Sequence, residues 1–187
     1  MRSLTALILG FFLDLLIGDP HGIPHPVVLI GKLIGIAEKA MRALFPKTWG
    51  EKLAGGAVWL IVVSLSTAVP WILLHFANGV SPWLGLALET VMCAQILATK
   101  SLRQESMRVF EALKTGDLAR SQYAVSRIVG RDTTRLDEAG VTRAAVETVA
   151  ENTSDGVIAP MLYLAIGGAP LGFFYKAVNT MDSMLGY

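Results

Sequence analysis

From Leu53 to Ala77 the chain carries no Lys, Arg, Asp or Glu for 25 residues. A helix of that length reaches about 37 Å, more than the roughly 30 Å hydrocarbon core of a bilayer. Backbone crossing lipid must satisfy its own hydrogen bonds, so 53–77 reads as a membrane-spanning helix, with a kink expected at Pro70. The uncharged turn Asn78-Gly79-Val80-Ser81-Pro82 follows, and the apolar run resumes over 83–99 as a second span in the opposite direction. Trp71 and Trp83 flank that turn as interfacial aromatics do, with His75 beside them. These two segments fix the fold class: an all-α, polytopic integral membrane protein.

Charge segregation supports this. None of the 16 Lys and Arg residues falls between Leu53 and Thr99, and the one carboxylate there is Glu89. Such an acid is either a hydrogen-bonding group between helices or part of a site. The 187 residues are 53% hydrophobic with a mean hydropathy of +0.53, and a net charge of +1 gives no electrostatic case for nucleic acid. The single Cys93 lies in an apolar segment, reads as a buried hydrophobe and excludes an intrachain disulfide.

A shorter apolar segment, 3–18, contains Asp14 and ends in Gly18-Asp19-Pro20 rather than a small-residue cleavage site, so it reads as a retained membrane segment. Asp14 in such a place is a functional candidate. The Pro- and Gly-dense loop after it carries Asp19, His21 and His25 in a fixed geometry that matches no common zinc pattern. Residues 27–45 have helical periodicity, with Leu33, Ile36, Ala37, Ala40, Met41 and Leu44 apolar and Lys32, Lys39 and Arg42 opposite, as expected of a helix in the membrane interface. Gly31 and Gly35 form a small-residue pair suited to close helix packing. Gly31-Lys32 lacks the glycine-rich lead of a Walker A loop, and no such loop occurs elsewhere.

Residues 100–155 form a helical section outside the membrane. A helix from Ser101 stops at Gly116, Asp117 caps a second that runs to Val129 before Gly130, and Thr134-x-x-Asp137 resembles a capping box ahead of a third. This section holds nine of the 16 basic residues and 32–52 holds five, which by the positive-inside rule puts both in the cytoplasm and the amino terminus outside. The third helix leads into Glu147, Glu151, Asn152, Thr153 and Asp155, with Glu147, Glu151 and Asp155 on one face. Like charges so spaced repel by about 0.2–0.5 kcal/mol per pair, tolerable if the face is solvated or binds a cation or phosphate. The apolar run 156–174 is broken by Pro160, Gly167-Gly168 and Pro170, so it is either a kinked span or a re-entrant hairpin. Lys176, Asn179 and Asp182 follow, the last two able to share a face.

Three blocks carry a likeness to a known family: Asp14 to Lys32 around GDPHGIPHP, Gly130-Arg131-Asp132-Thr133, and Val146 to Tyr187 with ETVAENTSDGVIAP, GGAP and YKAVNTMDSMLGY. Together they resemble the membrane family of cobalamin biosynthesis called CbiB or CobD, the adenosylcobinamide-phosphate (cobinamide) synthases. That resemblance implies an ATP-dependent amide ligase in the cytoplasmic membrane, with its active face towards the cytoplasm. The substrates would be a propionate of (adenosyl)cobyric acid and (R)-1-amino-2-propanol or its O-phosphate. Members are expected to continue beyond the block ending at Tyr187, so the chain reads as lacking their carboxy-terminal part. ATP and Mg²⁺ are the implied cofactors, the corrinoid is substrate, and the setting among membrane lipid suggests partners in later cobalamin assembly.

Within that reading, Glu147, Glu151, Asp155 and His25 are the catalytic candidates, His25 as acceptor of the amine's proton. Glu151, Asp155, Asp182 and Asp19 are the metal candidates. Asn152, Thr153, Asn179, Arg131, Lys176 and Asp14 are the substrate-binding candidates. Alternative readings are a membrane transporter, suggested by buried acids in broken apolar segments, and a corrinoid-binding scaffold without ligase activity.

Overall fold

The computed structural model describes residues 2–18, 25–45 and 50–186, and every regular element there is helical. In chain order these are α1 (Arg2–Ile17), α2 (Pro26–Leu44), α3 (Gly50–Val80), α4 (Pro82–Ile96), α5 (Thr99–Lys114), α6 (Leu118–Ser126), α7 (Glu138–Thr153), a π-helical turn (Ser154–Ile158) and α8 (Ala159–Leu185). Among the described residues three helical runs are long and apolar enough to cross a membrane: Gly50–Val80, Pro82–Lys114 and Glu138–Leu185. The last of these doubles back on itself.

The predicted hairpin of spans is present. α3 accommodates the buried Pro70 within one continuous helix, and Ser81 turns the chain by accepting the Trp83 N–H ahead of Pro82. Gly85 leaves room for the Asn78 side chain, which donates to the Leu74 carbonyl. The second span stops at Ile96 rather than continuing to 99, because Leu97 and Ala98 leave helical geometry before α5 begins.

α1 runs parallel to α4 and packs against it along Ala6, Leu7, Gly10 and Asp14. Gly10 sets the spacing: a Cβ there would lie 2.6 Å from Cys93 Cβ and 2.9 Å from the Thr90 carbonyl. Further along, Asp14 Oδ2 accepts the Thr99 N–H at 2.9 Å, while Lys100 Nζ donates to the carbonyls of Leu16 at 2.5 Å and Ile17 at 3.1 Å. Each helix thus caps the other's open end, a carboxylate on the N-terminus of α5 and a cation on the C-terminus of α1. The remaining N–H of the break, Ala98, donates to the Gly156 carbonyl at 3.1 Å. That carbonyl is available because Pro160, four residues on, has no N–H to give it. Two defects, the α4–α5 break and the π-helical turn, therefore satisfy one another.

The segment 156–174 folds back on itself as a helical hairpin. Residues 155 and 175 would lie about 30 Å apart on a straight helix, yet Tyr175 Oη donates to the Asp155 carbonyl at 3.1 Å and the Tyr163 and Tyr175 rings are 4.9 Å apart. The reversal occurs at Gly167 (φ −134°, ψ 19°) and Gly168 (φ 64°, ψ −163°), the latter a conformation open essentially to glycine alone. The second limb begins at Ala169, whose N–H points to Glu89 Oε1 at 3.4 Å. Glu89 thereby does the helix-bonding task that the sequence left open.

α2 departs from expectation in its facing. Ile30, Ile34 and Ala37 are buried against α3 and α8, while Ile36 and Leu44, assigned to the apolar face, are 68% and 70% exposed. Gly31 approaches Met184, but Gly35 faces nothing, so the two glycines do not form a joint seam. The outward Val28, Leu29, Ile36 and Leu44 suit contact with lipid.

α5, α6 and α7 pack round a small core of Val109, Val125, Val141 and Ala144. Gly116 (φ 69°) ends α5 in the left-handed conformation and Asp117 caps α6, both as expected. α6 ends at Ser126 rather than Val129, in a turn closed by Ile128 N–H and Val129 N–H on the Val125 carbonyl. Asp137, not Thr134, caps α7, accepting from Gly140 N–H; Thr134 instead closes a turn on Asp132.

Candidate functional site

A cleft of about 1010 Å³ opens where α5, the turn after α6, α7 and the second limb of α8 meet. It lies at the top of the roughly 300–1,000 Å³ range usual for small-molecule sites. α7 contributes Glu147, Thr148, Glu151 and Asn152, and the π-helical turn adds Asp155. Across from them, α8 contributes Lys176, Asn179 and Ser183, and the turn contributes Arg127, Gly130 and Arg131.

Helical periodicity explains one wall. Positions 147, 151 and 155 recur every four residues, so their carboxylates rise about 6 Å at a time along one edge. The π-helical turn adds a residue per turn just where Asp155 sits, a distortion frequent at functional sites. The opposite wall exists only because the hairpin returns: the Tyr175–Asp155 bond puts Lys176 and Asn179 beside the carboxylates. Asp155, Lys176 and Asn179 are half-buried, whereas Glu147 and Glu151 are exposed.

Charge is distributed unevenly in the cleft. Arg131 pairs with Glu147 at 3.1 Å, and Arg127 with Glu105 at 3.6 Å. Glu105 also pairs with Arg108 on its own helix. Gln122 donates to the carbonyls of Thr134 at 3.2 Å and Leu136 at 2.7 Å, and Thr133 Oγ1 donates to the Gln122 carbonyl at 3.1 Å, fixing the connection that carries Arg127 and Arg131. At its base, the Thr134 N–H and hydroxyl both bond Asp132, holding that carboxyl below its usual range.

Seven of the residues singled out from sequence line this cleft: Glu147, Glu151, Asn152, Asp155, Arg131, Lys176 and Asn179. Asp14 does not; it is 2% exposed and caps α5. His25 caps α2, its Nδ1 accepting the Val27 N–H at 3.3 Å, away from the cleft lining. Thr153 bonds back to the Val149 carbonyl and Asp182 sits exposed beside Gly186, neither on the cleft wall. Asp19 and His21 lie outside the described residues. Sequence reasoning missed Ser101, Glu105, Arg127 and Ser183, which also line the cleft. Ser183 was within reach of the helical spacing from Asn179; nothing marked Glu105 or Arg127. No group of three or more His, Cys, Asp and Glu among the described residues is placed to hold a metal ion.

Comparison with known proteins finds relatives along almost the whole chain. The relatives include the cobalamin biosynthesis protein CobD of Klebsiella pneumoniae, 47% identical over 185 residues, and that of Clostridium perfringens, 46% identical over 181. The cobalamin biosynthesis protein CbiB of Salmonella typhimurium is 44% identical over 185 residues. These alignments cover 97–99% of this chain but 57–58% of the relatives, so the chain spans less than two thirds of their length. No solved structure matches. The model of the CobD/Cbib protein family matches residues 7–187, and the chain belongs to that family.

Proposed function

We propose that the cleft takes part in an ATP-dependent amide ligation of cobalamin biosynthesis, joining the amine of 1-amino-2-propanol or its O-phosphate to a propionate of a cobyric acid. The observation that carries this is the convergence of Glu151, Asp155, Asn152, Lys176 and Asn179 in one cleft large enough for a sizeable ligand, in a chain whose family relatives are named for cobalamin biosynthesis.

A carboxylate does not react with an amine until one oxygen becomes a leaving group. ATP provides this when the propionate oxygen attacks phosphorus, forming an acyl phosphate with loss of ADP or an acyl adenylate with loss of pyrophosphate. The amine then attacks the acyl carbon, the phosphoryl or adenylyl group departs with its oxygen, and the ammonium proton passes to a base. Glu151 and Asp155 are the bases in reach of the cleft, in place of His25. Lys176 is placed to stabilise charge developing on the phosphoryl oxygens, and Asn152 and Asn179 to orient amide and hydroxyl groups.

The donor set also suits Mg²⁺, which takes one or two carboxylates and completes its shell with water and phosphate oxygens. Glu151 and Asp155 would hold it, and the bound ion would neutralise phosphate charge. Asp182 and Asp19 are not needed for that set. The distribution of basic residues supports a cleft on the cytoplasmic side of the cell membrane, and the partners of this reading are corrinoid, aminopropanol and lipid. A transporter reading is weakened because both buried intramembrane acids serve backbone N–H groups, Asp14 that of Thr99 and Glu89 that of Ala169.

Purified protein incubated with ATP, Mg²⁺, cobyric acid and aminopropanol phosphate should yield the amide together with ADP or AMP. Corrinoid binding with no nucleotide turnover would replace the ligase by a scaffold.

A further inference from the structure

Cations and acids meet at both ends of the cleft. Glu151 and Asp155 occupy one end with Lys176 and Asn179, and Arg127 and Arg131 stand four residues apart at the other. From Glu147, which touches Arg131, to Asp155 is eight residues, about 12 Å along the helical run. Each arginine meets a carboxylate reaching over from another helix: Arg127 takes Glu105 of α5 and Arg131 takes Glu147 of α7. The side chains of both arginines are more than half exposed, at 52% and 55%. Pairs so exposed hold together weakly and are readily exchanged for a stronger anion. Between them Gly130 lines the cleft with nothing within 4 Å of where a Cβ would stand, leaving the turn's backbone open to a ligand. Just beyond the turn, Thr133 and Leu136 are tied back to Gln122 of α6.

We infer that the Arg127–Arg131 turn is a phosphate-binding subsite in which Glu105 and Glu147 occupy the arginines until a phosphorylated ligand displaces them. An arginine fork binds phosphate oxygens bidentately and exchanges a monovalent carboxylate for a multiply charged group. The subsite rests on the ligase reading only for the identity of its ligand. Two sources share the required chemistry, the polyphosphate of a nucleotide and the phosphomonoester of aminopropanol phosphate. From this end the cleft runs continuously to Glu151 and Asp155.

The placeholder arrangement makes a prediction of opposite sign for the two partners. Calorimetric titration of inorganic tripolyphosphate into the detergent-solubilised protein, without Mg²⁺, measures it. Arg127→Ala and Arg131→Ala should each weaken binding about tenfold or more, the loss expected for a charge-assisted contact. Glu105→Gln should strengthen it, because the competing carboxylate is gone; a merely unfolded variant cannot do that. Competition then identifies the source: ATP displacing tripolyphosphate assigns the nucleotide, and aminopropanol phosphate displacing it assigns the amine substrate. Wild-type binding in both arginine variants, or unchanged or weaker binding in Glu105→Gln, overturns the subsite. The ligase reading fails separately: tripolyphosphate binding as described with no amide formed leaves the subsite standing, whereas ligation with an unchanged KM for ATP and for aminopropanol phosphate in Arg127→Ala removes the subsite alone.

Discussion

Replacing Asp14 separates a cap from a ligand. Asp14 is 2% exposed and its Oδ2 accepts the Thr99 N–H at 2.9 Å, capping the N-terminus of α5. Asp14→Ala removes that acceptor. Loss of an N-cap costs about 0.5–2 kcal/mol, and a buried donor left without a partner costs about 1–3 kcal/mol. These are two measures of one interaction, so about 2 kcal/mol is expected. For a chain of 187 residues each kcal/mol shifts Tm by about 2–4 °C, which makes the fall about 4–8 °C in detergent. Asp14→Asn keeps an oxygen in place and loses the charge at the helix N-terminus, worth about 0.3–1 kcal/mol. Its desolvation penalty disappears at the same time, so the amide variant should stay within about 1 kcal/mol of the wild type and ligate normally. A variant pair equally stable but devoid of ligation would refute the cap and return Asp14 to the substrate site.

Four further outcomes follow from the geometry. Gly168→Ala should destabilise the hairpin by about 1–3 kcal/mol, since φ 64°, ψ −163° excludes a side chain and its Cβ would collide with the Glu89 carboxylate; thermal unfolding measures the loss. Glu89→Leu should cost about 1–3 kcal/mol by stranding the Ala169 N–H, whereas Glu89→Gln should be milder. Tyr163→Cys and Tyr175→Cys, in a Cys93→Ser background, should be joined by a short thiol-to-thiol linker, because the parent rings are 4.9 Å apart in the hairpin, whereas a straight helix would hold these positions about 18 Å apart; absence of the cross-link would count against the hairpin. Asp132 titrates below its ordinary value of 3.8 because Thr134 bonds its ionised form. The stability it adds is therefore complete above pH 3.8 and lost as pH falls through the lowered value, so the wild type and Asp132→Ala should converge in urea titrations only below that point.

The sequence made some of this readable and withheld the rest for definite reasons. Absence of charge over 53–77 leaves a membrane helix little alternative, and four-residue spacing put Glu147, Glu151 and Asp155 on one face before any coordinates. Gly167-Gly168 announced a break without giving its direction; the direction depends on Glu89 waiting to receive Ala169 and on Gly172 packing against Leu164 and Ile96. The helix-capping role of Asp14 is not legible in the sequence because a buried acid looks the same whether it meets a substrate or a neighbour's open helix end. Its partner, the Thr99 N–H, exists only because α4 stops early, which no residue type signals. α2 was rotated for a related reason: 27–45 is apolar on more than one side, and only the neighbours α3 and α8 choose Ile30, Ile34 and Ala37. Arg127 escaped notice because its role follows from α6 ending at Ser126 rather than Val129.

The most direct test of the account replaces the two carboxylates at the acidic end of the cleft one at a time. Glu151→Gln and Asp155→Asn keep size and hydrogen-bonding shape while removing the charge, Glu151 being exposed and Asp155 half-buried on the cleft wall. Each variant should insert into the membrane and unfold as the wild type does, yet lose amide formation from ATP, cobyric acid and aminopropanol phosphate by about 10²-fold or more, the usual contribution of a general base. Full ligation in both variants would contradict the assignment of this cleft.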